Sequence, residues 1–194
     1  MKIKSCFAAL ACCTALAVPF AFAQPESPMP QSAPAAGPIA PADTLLAVFN
    51  LMRDEVIGAA DAMPADKYDF APGCSGDFKG VRTFGEQVRH VAQANYSFFR
   101  KWGVPGSIDP KTLDSLKTKD ELMKALRDSF AFDDAAINTI TPENAFQPLP
   151  GPPEYKLTRV SMVAYAMAHS RDHYGQMVEY LRMNGIIPPA SRKK

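Results

Sequence analysis

The sequence predicts an all-α fold, a four-helix bundle, on three observations. Four stretches carry apolar residues at helical spacing, two of them open on T-x-x-E capping boxes, and no segment shows the alternation of a half-buried strand. Pro- and Gly-rich links separate the four stretches, as a bundle requires.

The first helix is expected from about Thr44 to Met63. Asp43 stands at the cap position, and Leu45, Leu46, Val48, Phe49, Met52, Val56 and Ala60 give a broad apolar face that Pro64 ends. The second is announced by Thr83-Phe84-Gly85-Glu86 and runs to about Trp102, before Gly103 and Pro105. Thr118-Lys119-Asp120-Glu121 opens the third, which turns Leu122, Leu126, Phe130 and Ile137 inward. The fourth spans about Thr158 to Asn184, with Gly185 as its C′ residue and Pro188-Pro189 beyond. Gly175 lies inside that helix, where glycine costs about 1 kcal/mol relative to alanine, so close helix packing is expected there.

Two segments precede the bundle. Residues 1–23 read as a signal peptide: Lys2 and Lys4 form a positive start, Cys6 to Phe22 is almost wholly apolar, and Ala21-Phe22-Ala23 is a small-x-small cleavage signal. This predicts export, to the periplasm in a bacterial cell, with no stable membrane insertion once the leader is removed. Residues 24–41 are rich in Pro, Ala and Ser and read as a disordered linker unable to bury a core. The bundle is expected over residues 42–194.

Charge and cysteine content exclude several classes. Removing Lys2 and Lys4 with the leader takes 21 Lys and Arg to 19 against 20 Asp and Glu, a formal charge of −1. Nucleic-acid binding, which calls for a clustered basic excess, is not predicted. Three of the four cysteines lie in the leader, so the mature chain keeps Cys74 alone and forms no intrachain disulfide. That thiol is read as incidental, with a redox group or an intermolecular disulfide as the alternatives. There is no G-x-S-x-G elbow, no P-loop and no C-x-x-C pair in the mature chain.

The histidines carry the chemistry. The chain has three, His90, His169 and His173. Positions 169 and 173 are four apart on the fourth helix, about 40° from one another on one face. Two imidazoles so placed can close on one ion, and a third from another helix completes a facial tri-histidine site with open coordination positions. The bland alternative is an exposed His90 and a chance pair. Projection of the fourth helix puts His169 and His173 in one stripe with Met162, Tyr165, Gln176 and Tyr180, at the edge of an apolar arc of Val163, Met167, Tyr174, Val178 and Leu181. On the second helix His90 shares an edge with Thr83, Glu86, Ala94 and Ser97.

Glu86, Tyr165 and Gln176 are the candidate catalytic residues. Glu86 reads first as the capping partner of Thr83 and otherwise as a group that orients His90 or takes a proton. Tyr165 and Gln176 are expected on the wall of a groove, and Asp172 reads as a surface charge.

These residues carry a resemblance. Arg82-Thr83-Phe84-Gly85-Glu86-Gln87-Val88-Arg89-His90-Val91-Ala92 and His169-Ser170-Arg171-Asp172-His173-Tyr174-Gly175-Gln176 resemble the DinB-like superfamily of metal-dependent four-helix bundles, which includes DinB and YfiT types. The resemblance covers about Asp43 to Ser191. It implies His90, His169 and His173 as the ligands of a divalent transition metal, with zinc or nickel as the usual occupant. The family includes metal-dependent transferases and isomerases that use low-molecular-weight thiols, and bundles that resemble this one often pair as homodimers. An open metal site fits either a hydrolase using metal-bound water or a transferase to a thiol or other small nucleophile, acting on a small-molecule substrate. The alternative is a non-catalytic bundle that binds metal or ligand, as in a stress response. The sequence departs from the thiol-dependent members in its export signal, since those members are cytosolic.

Overall fold

In the computed structural model, residues 37–73 and 79–193 are described. Both the leader and most of the Pro/Ala-rich segment, with Cys74, lie outside the described residues.

Four long helices form the body: α1 (Pro41–Ala62), α2 (Phe84–Phe99), α3 (Lys119–Ile137) and α4 (Arg159–Met183). Short 3-10 turns punctuate the links, and among the described residues β pairing is limited to an isolated bridge between Pro148 and Thr158. The all-α expectation holds.

The boundaries differ for local reasons. Helix α1 starts three residues earlier than expected because Pro41, with φ already fixed for a helix, takes the first helical position. Asp43 therefore sits inside the first turn, where its charge meets the positive end of the helix dipole, and Ala40 caps without a side-chain bond. Both predicted capping boxes form: Thr83 with Glu86, and Thr118 with Glu121. A third, Thr158 with Ser161, starts α4. Helix α2 ends at Phe99, three residues short of Trp102, whose N–H then bonds the Phe99 carbonyl in a turn.

Helix order around the bundle is α1, α3, α2, α4, with α4 closing on α1. Directions follow from the contacts. Phe49 meets Phe130 while Lys119 reaches the Asp61 carbonyl, so α1 and α3 are antiparallel. Asn95 bonds Ser129, and Gly85 approaches Leu122, so α2 and α3 run parallel. The Tyr180 hydroxyl bonds the Arg82 carbonyl, and Phe98 meets Tyr165, so α2 and α4 are antiparallel.

The core is continuous through Phe49, Met52, Val56, Phe84, Phe99, Leu126, Phe130 and Leu181, all essentially fully buried. Each such side chain contributes about 1.5–3 kcal/mol by leaving water. Leu122 and Ile137 are buried as expected, whereas Val48 on α1 is exposed.

The glycine that permits close packing is not Gly175. A Cβ there would meet nothing within 4 Å among the described residues. Gly85 has that role: a Cβ would stand 3.2 Å from Tyr68 Cδ1 and 3.3 Å from Leu122 Cδ1. Gly185 follows α4 with φ +71°, a conformation that glycine adopts without strain.

Candidate metal centre

The antiparallel contact of α2 with α4 brings the three histidines together. Nε2 of His90 lies 3.2 Å from Nε2 of His169, which in turn lies 3.3 Å from Nε2 of His173. One ligand atom from each residue lies within 4.8 Å of the other two. Two ligands tetrahedral about an ion at 2.0–2.1 Å are separated by about 3.3 Å. The spacing of the imidazoles therefore fits a small divalent cation, and the three histidines are positioned to bind a metal ion.

Electrostatics keep the rings in the ligating form. Burial pushes His90 down to about 4, helped by the Arg82 guanidinium and the other two histidines. Burial likewise brings His173 to about 4, with His169 adding to the shift and Asp172 opposing it. His169 is lowered by burial too, again against Asp172. Near neutrality all three are uncharged and offer a lone pair.

His173 also has its tautomer set. Its Nδ1 lies 2.8 Å from Oε1 of Gln87, while Nε2 of Gln87 donates to Oε1 of Gln176 at 2.7 Å. Nε2 of Gln176 then donates to the Asp172 carboxylate at 2.9 Å. A carboxylate that only accepts fixes the direction of the whole chain. The Gln176 amide must donate to it, the Gln87 amide must donate to Gln176, and the Gln87 oxygen is left for His173 Nδ1–H. Nε2 of His173 is thereby left without a proton and faces the other two rings.

The candidates separate by position. His173 is 6% exposed and belongs to the buried side of α4, deeper than an edge position, because α4 packs against both α1 and α2. His90 and His169 are half-buried and line an open cleft of about 390 Å³ with Gln93, Phe98, Lys111 and Tyr165. Tyr165 thus stands on the groove wall. Gln176 bonds Gln87 and Asp172 on the far side of His173 and is not among the cleft residues. Glu86 accepts from the Thr83 N–H at 2.8 Å, as its capping reading requires. Asp172 is exposed and anchors the relay. Neither carboxylate joins the histidine cluster.

Gln87 is the residue that sequence reasoning missed. It is 2% exposed, one turn before His90, and the available signal was a glutamine on the apolar side of α2.

The DinB superfamily pattern matches residues 48–177, most of the bundle and all three histidines. This chain belongs to the DinB superfamily. A crystal structure of a DinB-like protein from Bacillus subtilis superposes with a TM-score of 0.58 at 18% identity, covering 77% of this chain and 99% of that one. At that identity the likeness concerns the fold. No curated protein matches the chain.

Proposed function

We propose that this DinB-superfamily protein is an exported, periplasmic metalloenzyme. Its centre is a single divalent ion, zinc or nickel, held by His90, His169 and His173, and it acts on a small molecule as a hydrolase or as a transferase to a thiol or similar nucleophile. The observation that carries the reading is the convergence of three neutral imidazole Nε2 atoms, one with its tautomer fixed by Gln87, with His90 and His169 lining an open cleft.

When bound, the ion supplies Lewis-acid polarisation and lowers the pKa of a water or thiol that it holds. The chain's own residues do the rest. Gln87 orients His173, and through Gln176 the orientation is anchored on Asp172. Tyr165 lines the cleft, which supports its phenol as the proton donor to a leaving group. Lys111, on the same cleft, favours an anionic substrate. With three imidazole ligands and both nearby carboxylates engaged elsewhere, coordination positions remain for substrate, which supports a catalytic over a structural role.

The test is elemental analysis of untagged protein, followed by a screen of ester and thiol-transfer substrates before and after chelation. The reading expects one ion per chain and an activity lost on chelation and restored by zinc or nickel. Absence of bound metal, or an activity indifferent to chelation, refutes it.

A further inference from the structure

The cleft over His90 and His169 does not end at the histidines. Phe98 and Tyr165 form its wall, and the same two rings form one side of a second cavity of about 390 Å³, completed by Met162, Leu157, Pro152 and Tyr155. The two rings meet edge to face at 5.5 Å, and Phe98 also stands edge-on to His169 at 5.3 Å. One aromatic pair therefore links the metal-binding nitrogens to an almost wholly apolar trough.

That trough is left in water. Tyr165 is 59% exposed and Tyr155 66% exposed, although aromatic rings of this size gain most when buried. Each of the two cavities is within the range that takes one small ligand, and such sites are mostly apolar with a few fixed polar groups. Here the polar groups lie at one end: the histidine nitrogens, with Lys111 on the rim. A ligand that uses both ends has an anionic, metal-ligating head and a flat apolar body.

We propose that the substrate is such a molecule: an aryl or similarly bulky apolar compound joined to a small metal-binding head, with its body in the trough of Phe98, Tyr165, Met162 and Leu157. This rests on the metal reading given above. Tyr165 and Phe98 are then specificity determinants that recognise the body, apart from any part in chemistry. The site discriminates by apolar area, so a compound with the head alone binds weakly.

Two hydroxamates that share a metal-binding head, acetohydroxamate and 2-naphthohydroxamate, separate the two ends. Their affinities are measured by calorimetry on the zinc-loaded full-length mature protein, with zinc content determined on the same sample. The naphthyl compound is expected to bind about tenfold tighter or more. In Tyr165→Ala, whose side chain is mostly exposed, and in Phe98→Ala, the ratio of the two affinities is expected to fall at least several-fold. Equal affinities in a protein that retains zinc overturn the substrate class and leave the metal reading standing. A ratio unchanged in both variants overturns the placement of the body in this trough. A protein that retains neither zinc nor, on reloading, nickel overturns both readings.

Discussion

Replacing Gln87 with leucine removes the acceptor of His173 Nδ1–H, 2.8 Å away, and the donor to Gln176, 2.7 Å away. The side chain is 2% exposed and His173 6%, so water has little access to replace either bond. A single intramolecular hydrogen bond is worth about 0.5–1.5 kcal/mol net. The effect on metal affinity is larger than that floor, because Gln87 also chooses which nitrogen carries the proton: without it His173 is free to hold the proton on Nε2, the atom that faces the ion. Losing a partner that orients a histidine ligand costs roughly 10–100-fold in affinity, equivalent to about 1.4–2.7 kcal/mol. The assay is competition for zinc against a chromophoric chelator at pH 7.5, with circular dichroism to verify the fold. Gln87→Glu keeps an oxygen for His173 and should bind within a few-fold of wild type. A folded Gln87→Leu protein with wild-type affinity would refute the argument that the relay sets the tautomer.

Other consequences are as direct. The His169→Ala, His173→Ala double variant should lose stoichiometric metal by elemental analysis. Asp133, completely buried with no partner among the described residues for either oxygen, has its pKa raised well above 3.8 by burial and by Asp134. The folded state therefore holds this proton more tightly than the unfolded state, and the stability linked to it is present at low pH and lost as pH rises. Asp133→Leu should stabilise the protein at pH 8 by on the order of 1–3 kcal/mol, with a smaller gain at pH 4.5, measured by urea denaturation; a larger gain in acid would contradict the sign. Gly175→Ala, with open space around the new Cβ, should stabilise by roughly 0.5–1 kcal/mol, whereas Gly85→Val, against Tyr68 and Leu122, should cost about 1–3 kcal/mol. The expected homodimer has exposed Val48 and Leu51 on α1 available for a contact, and sedimentation at micromolar concentration should give a dimer; a single monomeric species removes it.

The fold was legible because its signals are local. Thr83 with Glu86 and Thr118 with Glu121 announce helix starts through bonds that span three residues, and both bonds form. Helix α1 begins three residues before its expected start because Pro41 and Asp43 both mark helix starts, one at the first helical position and the other at a cap, and the proline's fixed φ prevails. Gly175 and Gly85 show where local reading fails. Each is a mid-helix or early-helix glycine with nothing in its own helix to distinguish it, and only the approach of Tyr68 and Leu122 makes Gly85 the one whose missing Cβ matters.

The site divides along the same line. A projection of α4 alone puts His169 and His173 on an edge, since it counts apolar residues on one helix and cannot know that two neighbours cover it. The ring of helices then buries one histidine and leaves the other on a cleft. Spacing found the pair because four residues make one turn; nothing in spacing can find Gln87, whose role depends on a contact with a residue 86 positions away. Gln176 and Asp172 lie on α4, where each taken alone reads as a groove wall and a surface charge. Taken as a chain of donors ending at an acceptor, they and Gln87 have one consistent orientation. That orientation leaves the one nitrogen of His173 that faces His169 and His90 free of a proton, so a surface aspartate governs the chemistry of a buried imidazole through two amides.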